Sequence, residues 1–399
     1  MSILWPHLSL GDLTKSTRPI CYGVLKPGPF EPEGAPLLRV VDLANNRVEL
    51  SAVHRISPAL DAEFRRSRLR GGEVLLSIQG TVGRVALVPK EAAGANISRT
   101  LAVIEPDERV DARFLRYFLL SFRQQFKVGG TTRASLNIGD LRQVAVPVPP
   151  LDEQQRIVAV LEDHLSRLDA GGNYASAAAK RLCAFETQVR DGAVRANSQA
   201  ECRLSDLIER VEAGRSFGEA AGPARAGEWG VVKVSAMTWG EFRASENKAV
   251  AEHLVDPRWE IRSGDVLVSR ANTREYVGAP VLVRDVRPRL LLSDKSLRLV
   301  PRASVAPAWL VAALATTSAR RQVSALASGT KDSMRNISQV HLQSIRLPRA
   351  SVEQQADALR TIMKGHEAAS RLGAALDQGH VRQAALRRSL LVAAFSGHL

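Results

Sequence analysis

The chain contains few cysteines, no long apolar run and no visible secretory signal. Its three cysteines, Cys21, Cys183 and Cys202, include no Cys-x-x-Cys pair, which argues against a disulfide framework and against a zinc site. The best apolar run, 309–315, is far too short to cross a bilayer. Residues 1–7 lack a basic region followed by an apolar core. We therefore expect no membrane partner and a location in a reducing, bacterial-type cytoplasm.

Short catalytic motifs are absent as well. The sequence has no Walker-type phosphate loop, no His-Glu-x-x-His zinc motif, no dinucleotide-type glycine fingerprint and no Asn-Pro-Pro-aromatic tetrapeptide. The closest nuclease-like fragment is Glu246-Asn247-Lys248, which has no convincing upstream carboxylates to hold a cation. The histidines are scattered, and His164 and His366 are better explained as surface or partner-facing residues. We expect no catalytic residue and no metal ligand in this chain.

What the chain has in excess is positive charge. Lys and Arg number 55 against 41 Asp and Glu, which gives a formal net charge of +14. High net charge can serve solubility alone, but this surplus exceeds that need and matches the electrostatic footprint of a nucleic-acid-binding protein. Composition therefore favours a nucleic-acid partner.

The chain also repeats itself. Segment 130–155 runs from Gly-Thr-Thr-Arg through Leu-Asn-Ile to a Pro-rich stretch and Glu-Gln-Gln. Segment 329–355 has Gly-Thr-Lys-Asp, Arg-Asn-Ile, Leu-Pro and Glu-Gln-Gln in the same order, so that Asn137 and Asn336 are 199 residues apart. Each of these asparagines precedes a helix-like segment and is predicted to cap it. A repeat of this length is typical of a duplicated domain.

The duplication reaches the N-terminal end of each copy. Leu-Gly-Asp-Leu at 10–13 recurs as Leu-Ser-Asp-Leu at 204–207, and Gly-Glu-Val-Leu at 72–75 recurs as Gly-Asp-Val-Leu at 264–267. A chain of 399 residues has room for two domains of ordinary size, each able to bury its own core. The sequence therefore predicts two similar domains.

Each copy has the pattern of a mixed domain with a β-rich core. Short β-like runs alternate with Gly- and Pro-containing turns and with helical stretches such as 112–126. In the first copy, 73–78 and 84–88 are predicted to form a strand and its returning strand around the turn 79–83. The second copy keeps this frame but presents a different tip, 270–276. The common frame and the changed tip indicate two ligands of one class.

A long amphipathic helix is predicted after the Pro-rich end of each domain. Segment 152–195 would be about 66 Å long as one helix, although Gly171-Gly172 leaves a kink or a helical hairpin open. Packing of each helix against its own domain is the simpler alternative, but two helices in the same place favour mutual pairing. The predicted pairing residues are Ile157, Leu161, Leu165, Leu168, Leu182, Phe185, Val189, Leu359, Ile362, Leu372, Leu376, Leu386 and Leu390.

The predicted fold class is therefore α+β, with two globular domains separated by two long helices that pair as an antiparallel coiled coil. The predicted division is a first domain at 1–150, a central helix at 151–198, a second domain at 199–348 and a C-terminal helix at 349–399.

The residues around the first helix start resemble a known family. Segment 147–158 is similar to the proline-rich stretch and Glu-Gln helix start of specificity subunits of type I restriction-modification systems. Segment 130–141, the turn 77–83 and Ala-Phe-Ser-Gly at 394–397 resemble the same family. The second copy departs from the pattern at 348–352, where Pro-Arg-Ala-Ser-Val replaces the double proline and leucine.

The resemblance implies a function and a set of partners. Each domain would be a target-recognition domain that reads one half of a split double-stranded DNA site, and the paired helices would act as spacer and docking surface for two methyltransferase subunits. The complete complex would also contain restriction and translocase subunits. S-adenosylmethionine, ATP and Mg would be bound by those partners, and this chain would carry no cofactor.

DNA recognition needs side chains that reach base edges or phosphates, and the two tips supply both kinds. Solvated arginines on ordinary turns are the alternative explanation at each position. The predicted DNA contacts are Gln79, Thr81, Arg84, Thr131, Thr132 and Arg133 in the first domain, and Arg270, Asn272, Arg274, Thr330, Lys331 and Arg335 in the second.

Two other functions remain open from the sequence. A DNA nuclease or fused restriction enzyme could use the same DNA-reading frame, and a protein scaffold without a DNA role could use the same helices. Steep salt dependence together with preference for a bipartite site would exclude the scaffold.

Overall fold

The structure is a computed structural model that describes residues 5–126, 134–196, 200–217, 222–238, 240–331 and 334–396. It contains two compact units. The first unit comprises Met1–Ala175 with Gln378–Leu399, and the second comprises Ser176–Asp377. Both units combine helices with sheets, which confirms the predicted α+β class.

The first unit is built on short strands with few helices. Its strands are β1 (His7–Ser9), β2 (Cys21–Tyr22), β3 (Ala35–Leu38), β4 (Leu43–Ala44), β5 (Arg47–Val48), β6 (His54–Ile56), β7 (Val74–Ser77), β8 (Val85–Leu87), β9 (Asn96–Ile97), β10 (Leu101–Ile104) and β11 (Ala145–Pro147). Its helices are α1 (Pro58–Glu63), α2 (Ala112–Ser121), α3 (Ile138–Arg142) and the first part of α4 (Leu151–Ala196).

The core of the first unit surrounds an antiparallel sheet of order β2-β10-β7-β8. Successive side chains of a strand face opposite sides of a sheet. Accordingly Val74 and Leu76 pack with α2 and α4 on one face, while Leu75 packs with β9 on the other. The antiparallel pairing of β7 with β8 confirms the predicted strand, turn and returning strand. A second sheet has the order β6-β3-β9, with β3 and β9 parallel.

The second unit has a closely similar set of elements. Its strands are β12 (Ala200–Arg203), β13 (Ile208–Ala213), β14 (Gly230–Val232), β15 (Asn247–Ala249), β16 (Val266–Ser269), β17 (Ala271–Asn272), β18 (Pro280–Leu282), β19 (Leu290–Leu291), β20 (Ser296–Pro301), β21 (Ser328–Lys331), β22 (Met334–Asn336) and β23 (Arg346–Arg349). Its helices are the last part of α4, α5 (Leu204–Leu207), α6 (Pro307–Leu314), α7 (Thr317–Leu326), α8 (Gln339–Ser344) and most of α9 (Val352–Phe395), the end of which belongs to the first unit.

The sheets of the second unit repeat those of the first. The antiparallel sheet β13-β20-β16-β18 corresponds to β2-β10-β7-β8, and β15-β14-β19 again joins one antiparallel and one parallel pair. The terminal pair β12-β23 corresponds to β1-β11. The duplication seen in the sequence is therefore a duplication of topology.

A buried glutamine explains why Glu-Gln-Gln recurs. The Gln154 side chain accepts from the Asp111 amide at 2.8 Å and donates to the carbonyl oxygens of Arg109 and Pro149 at 2.8 and 2.9 Å. The glutamine is fully buried, and a buried amide side chain requires such partners. The side chain thereby ties the start of α4 to the start of α2.

The same device recurs in the second unit at Gln355. It accepts from the Ala306 amide at 2.7 Å and donates to the carbonyl oxygens of Ser304 and Ala350 at 2.9 and 3.0 Å. Gln154 and Gln355 are 201 residues apart (355 − 154). The sequence alignment, at 199 to 200 residues, was therefore wrong by one or two positions.

The same misalignment of the two copies affects the predicted helix caps. Asn137 does cap α3, because its side chain accepts from the Gly139 amide at 2.8 Å. Asn336 is not a cap, since it ends β22, and Ser338 caps α8 by accepting from the His341 amide at 3.1 Å. The capping residues are again 201 positions apart (338 − 137). The prediction for Asn336 failed because asparagine and serine cap helices equally well.

The two long helices meet in antiparallel order inside each unit. In the first unit, Leu161 and Leu165 near the start of α4 share a buried cluster with Leu391 and Ala394 near the end of α9. This cluster also contains α2, so packing on the domain and pairing of the helices both occur. Further predicted pairing residues in or against this cluster are Ile157, Leu168 and Leu390.

In the second unit the opposite ends of the helices meet. Val194 at the end of α4 lies in one buried cluster with Ala358 at the start of α9. The predicted pairing residues Leu359 and Ile362 pack against this cluster. Together these contacts confirm the antiparallel order. Three further predicted pairing residues, Leu182, Val189 and Leu376, are partly buried.

Three predicted pairing residues were wrong. Phe185, Leu372 and Leu386 are 42%, 58% and 53% exposed. The helices instead approach closely at Gly365, where a Cβ atom would lie 2.7 Å from Cγ1 of Val189. Close approach of two helix backbones requires a small residue and excludes leucine from that position, which is why the apolar stripe alone misplaced the seam.

The glycine pair in α4 does not interrupt the helix. The helix is assigned without a break from Leu151 to Ala196, so neither a hairpin nor a helix end occurs at Gly171-Gly172. The Gln383 side chain donates to the Leu168 carbonyl oxygen at 2.5 Å, and a Cβ at position 172 would lie 2.6 Å from Nε2 of Gln383. The glycine therefore provides space for a contact between the helices.

Replacing glycine with alanine should have opposite effects on the free energy of unfolding at two positions in these helices. Gly379→Ala is expected to raise the free energy of unfolding by up to about 1 kcal/mol, because alanine favours helix and no described atom lies within 4 Å of its methyl group. Gly365→Ala is expected to lower it, because Val189 is β-branched and leaves its preferred rotamer only at a cost. Denaturant unfolding of both variants checks the signs, and equal stabilisation by both would contradict the close approach.

A buried arginine lies between two carboxylates in the first unit. Nη1 of Arg18 lies 2.7 Å from Oε1 of Glu73 and 2.6 Å from Oε2 of Glu105. Glu73 is 1% exposed and also accepts from the amides of Arg70 and Gly71 at 2.6 and 2.8 Å. The guanidinium thus links the segment before β2 to the outer ends of β7 and β10.

The second unit has a similar cluster in which the charges have exchanged strands. Arg298 on β20 lies 2.9 Å from Glu212 on β13 and 3.0 Å from Asp265 before β16. Burial alone would raise the pKa of Glu212, but hydrogen bonds from Arg298 and Arg210 hold that pKa below its ordinary value. Both units therefore tie the same part of the sheet with one arginine and two acids.

Among the described residues, no helix has the length and apolarity that crossing a membrane would need.

Candidate nucleic-acid interface

Three chain segments meet at one end of β7 in the first unit. The first tip, residues 78–83, joins β7 to β8. The Ile78 amide donates to the Thr100 carbonyl oxygen at 2.9 Å, and the Leu136 amide donates to the Ile78 carbonyl oxygen at 2.8 Å. The first tip is therefore held between the turn before β10 and the segment before α3.

The same three segments meet in the second unit. The second tip, residues 270–278, joins β16 to β18. The Arg270 amide donates to the Lys295 carbonyl oxygen at 2.8 Å, and the Ile337 amide donates to the Arg270 carbonyl oxygen at 3.0 Å. In addition β17, within the second tip, pairs with β22. The backbone frame of the two tips is thus the same, while their side chains differ.

A glycine brings a fourth segment against each frame. A Cβ atom at Gly23 would lie 1.7 Å from the Ile97 carbonyl oxygen, and one at Gly214 would lie 2.2 Å from the Ser293 carbonyl oxygen. Any larger residue would push the chain away from the sheet. The residues that follow these glycines are consequently held beside the turns that precede β10 and β20.

The structure separates the predicted contacts of the first unit. Gln79 is half-buried and bridges to Ser135, whereas Thr81 is exposed. Arg84 faces inward, because its Nη1 atom donates to the carbonyl oxygens of Val40 and Leu43 at 3.0 Å each. Arg84 is therefore used to fix the domain. The predicted contacts Thr131, Thr132 and Arg133 lie outside the described residues.

The predicted contacts of the second unit also fall into exposed side chains and side chains that are engaged within the unit. Arg270 is half-buried and Arg274 is exposed, and neither side chain makes a hydrogen bond or ion pair to another described residue. Asn272 acts locally, since its side chain accepts from the Thr273 amide at 2.8 Å. Arg335 donates to the carbonyl oxygens of Gly329 and Ala327, and so fixes the turn of its own sheet.

For the remaining predicted contacts of the second unit, Thr330 and Lys331, only the backbone in β21 is described.

Sequence reasoning missed several cations beside the tips. Arg99 in the turn before β10, Lys295 in the turn before β20 and Arg215 after Gly214 are all exposed. A weak signal was present, because Ser-Arg-Thr-Leu at 98–101 resembles Ser-Asp-Lys-Ser-Leu at 293–297 once one residue is inserted. The second unit therefore presents arginine or lysine from several segments at this strand end, and the first unit presents Arg99, which suits phosphate contacts.

The nuclease-like fragment has an ordinary environment. Glu246 accepts from the Ser235 hydroxyl at 2.6 Å and lies 3.3 Å from Nζ of Lys233. The hydrogen bond from Ser235 and the charge of Lys233 lower the pKa of Glu246. Within the described ranges, no three His, Cys, Asp or Glu side chains are arranged to hold a metal ion.

Comparison with known proteins identifies the class of domain. Residues 44–173 match the family model of the type I restriction modification DNA specificity domain. The fold of all 399 residues is similar to solved structures. A structure from a study of complex assembly and conformational transition of the type I R-M system superposes with a TM-score of 0.71 at 19% identity, covering 100% of this chain and 99% of that one. The HsdS subunit from Thermoanaerobacter tengcongensis gives 0.56, covering 100% and 98%.

Two proteins with similar sequences are named as type I restriction enzyme specificity subunits. The chain is 30% identical over 229 residues to the type I restriction enzyme EcoBI specificity subunit of Escherichia coli, which covers 53% of this chain and 48% of that subunit. It is 32% identical over 157 residues to the EcoEI specificity subunit of the same organism, covering 38% and 26%. The alignments thus span about half, or less, of these relatives. The resemblance to type I specificity subunits indicated by the motifs is confirmed.

Proposed function

We propose that this chain is the DNA sequence-specificity subunit of a type I restriction-modification complex, in which each unit recognises one half of a bipartite, asymmetric DNA target. The observation that carries the proposal is the pair of tips. They share one hydrogen-bonded frame but present different side chains, such as Thr81 in the first and Arg274 in the second. Base identity is recognised by side chains, whereas the frame only positions them.

The partners in this proposal are two methyltransferase subunits, together with restriction and translocase subunits in the full complex. Large apolar residues remain exposed on the described parts of α4 and α9, and a solvated helix surface of this kind suits a protein partner. They include Phe185, Met363, Leu372, Val381, Leu386 and Val392. The residues that do not pair the helices thus support a docking role.

The chain itself would be non-catalytic. S-adenosylmethionine, ATP and Mg would be bound by the partner subunits, and the complex would act in the cytoplasm, where it meets DNA. The predicted division at residues 150, 198 and 348 would separate the recognition domains from the docking helices. The nuclease alternative gains no support from Glu246, whose carboxylate is engaged by Ser235 and Lys233.

Co-expression tests the assignment against the nuclease and scaffold alternatives. The purified chain alone should neither methylate nor cleave duplex DNA, and a complex with its cognate methyltransferase should methylate one bipartite sequence. Binding should weaken steeply with salt, as expected for phosphate contacts. Cleavage by the chain alone would favour the nuclease, and unchanged methyltransferase specificity without the chain would refute a specificity role.

Substitution of the second tip should affect one half-site only. Arg270→Gln with Arg274→Gln is expected to lower affinity for the cognate second half by about 10- to 100-fold, because each bidentate arginine contact to guanine contributes roughly 1–3 kcal/mol of discrimination. Recognition of the first half should be unchanged, because the first tip is intact. Methylome sequencing of cells that carry the variant reads both halves at once.

A matched control is available at the other end of the same sheet. Arg284 and Arg302 are exposed and follow the ends of β18 and β20 that lie away from the second tip. Arg284→Gln with Arg302→Gln removes the same charge and should leave the methylated sequence unchanged. If both double variants altered the target equally, the second tip would not be the recognition element.

A further inference from the structure

A single guanidinium holds the second tip to α7. Nη2 of Arg320 donates to the carbonyl oxygens of Glu275 and Val277 at 3.0 and 2.7 Å. The second tip also curls on itself, because the amides of Tyr276 and Val277 donate to the Thr273 carbonyl oxygen at 3.0 and 2.9 Å. Arg320 therefore adds two hydrogen bonds to a turn that is also held by its own backbone, by the pairing of β17 with β22 and by the burial of Val277.

The Arg320 side chain is partly buried and has no counter-ion among the described residues. No described carboxylate forms an ion pair with it, and its buried Nη1 atom has no hydrogen-bond acceptor there. Burial lowers the pKa of the guanidinium. An uncompensated buried charge costs stability, so a neutral residue would serve a purely structural purpose better at this position.

The first unit places an arginine at the equivalent point. Gly83 and Gly278 end the two tips, with φ of 89° and 68°. A Cβ atom at Gly83 would lie 2.6 Å from Cγ of Arg123, and one at Gly278 would lie 3.4 Å from Nη1 of Arg320. Arg123 follows α2, and Arg320 lies on α7 beyond α6, so in both units the arginine comes from the helical region that follows the central strand β10 or β20. In both units an arginine side chain therefore lies close to the glycine that ends the tip, although only Arg320 hydrogen-bonds to tip carbonyl groups.

The exposed residues of the second tip lie immediately before the last carbonyl group that Arg320 holds. Thr273, Arg274 and Glu275 are exposed, and the carbonyl groups held by Arg320 follow directly at positions 275 and 277. Base recognition depends on hydrogen bonds that weaken steeply with small changes in distance and angle. If the second tip could rotate, it would keep its charge, but the direction of its exposed side chains would no longer be fixed.

We propose that Arg320 is a positioning residue that sets base discrimination by the second unit, by fixing the carbonyl groups of Glu275 and Val277 and thereby the direction of the Arg274 side chain. The proposal rests on the DNA-reading function proposed above. It assigns to Arg320 no contact with DNA.

Three variants of the full chain, each in complex with its cognate methyltransferase, separate positioning from charge. Arg320→Met removes both hydrogen bonds and the charge. Arg320→Gln removes the charge but keeps an amide that can donate to a carbonyl oxygen. Arg321→Met is the matched control, because Arg321 is the next residue, is exposed and bonds to no other described residue through its side chain. Selection from a randomised duplex library first identifies the bipartite target of the unaltered complex.

Affinity is then measured for that target and for duplexes with one altered base pair in either half. Arg320→Met should reduce discrimination in the second half by at least about tenfold, with unchanged discrimination in the first half. The slope of log affinity against log salt should stay constant, since no phosphate contact is removed. Arg320→Gln should recover most of the discrimination, and Arg321→Met should preserve it.

Distinct outcomes refute the two proposals. If the unaltered complex selects no bipartite sequence, the proposed function fails. If it does, but Arg320→Met discriminates the second half as the unaltered complex does, positioning by Arg320 is refuted. A smaller slope of log affinity against log salt would instead indicate that Arg320 contacts a phosphate directly, and this result would also refute the positioning role. Should Arg320→Met fail to fold, Arg320→Ala decides, because a folded Ala variant lacks both hydrogen bonds, and unchanged second-half discrimination in it would refute the positioning role.

Discussion

Replacing Arg18 with methionine is expected to destabilise the first unit by about 3–5 kcal/mol, the cost of removing one partner from a buried ion pair. The side chain of Glu73, 1% exposed, would lose its cation. The carbonyl oxygens of Arg66 and Arg68 would lose the donors that Arg18 provides. Native-state hydrogen exchange at the amides of β7 and β10 measures the loss in this unit alone.

Lys15 supplies the matched control. It contacts the same Glu105 carboxylate at 2.7 Å, but its side chain is 48% exposed. Lys15→Met should therefore cost less than about 1 kcal/mol, as for a solvated ion pair. Equal losses from Lys15→Met and Arg18→Met would contradict the importance of burial.

The Arg18 cluster also predicts a pH dependence. Burial alone would raise the pKa of Glu105, but hydrogen bonds from Lys15 and Arg18 hold it below its ordinary value. A carboxyl whose pKa is lower in the folded state stabilises the fold above its unfolded pKa, near 4.3. That contribution disappears as pH falls through the lower, folded value. The stability difference between the unaltered chain and Arg18→Met should accordingly shrink below about pH 4.

Replacing Gln154 with leucine should have the second largest effect on stability. The change leaves the Asp111 amide and the carbonyl oxygens of Arg109 and Pro149 without their partners. Each unsatisfied buried group costs about 1–3 kcal/mol. Only the bond to Pro149 is fully buried and the other two are part-buried, so a loss of at least about 1–3 kcal/mol is expected. Denaturant unfolding of the full chain, followed by hydrogen exchange in α2, measures it.

Gln155→Leu is the matched control, because it makes the same substitution at the adjacent position. Gln155 is exposed, and Gln155→Leu should change the free energy of unfolding by less than about 0.5 kcal/mol. Gln355→Leu should reproduce the Gln154 result in the second unit, because its three bonds are the same. A Gln154→Leu loss below about 1 kcal/mol would mean that these bonds do not explain the recurring glutamine.

The sequence predicted the architecture because architecture depends on pattern. Apolar periodicity, turn residues and the internal repeat located the two domains, the β7–β8 hairpin and both long helices. The repeat was misaligned by one or two residues, since Glu-Gln-Gln contains two glutamines of which a different one is buried in each copy. Only burial distinguishes Gln154 from Gln155, and Gln355 from Gln354.

The predicted DNA contacts stay a prediction, but the structure shows which of their side chains are already engaged within their own unit. Arg84 and Arg335 lie at the predicted strand ends, yet their guanidinium groups donate to backbone carbonyl oxygens of their own unit. A sequence cannot tell an arginine that fixes a loop from one that faces solvent, because the acceptor comes from a distant segment. For the same reason Arg99 and Lys295 went unnoticed, since they reach the tips only through the fold.

By itself, the sequence determined that this chain has two similar α+β domains, two long helices and a surplus of positive charge, because these follow from composition and periodicity. Tertiary structure alone decided which copy of each residue is buried, which glycines let α4 and α9 approach, and which arginines hold the tips. Those outcomes depend on contacts between residues far apart in the chain, such as Arg320 with Glu275 or Gln154 with Arg109, and no local pattern encodes them.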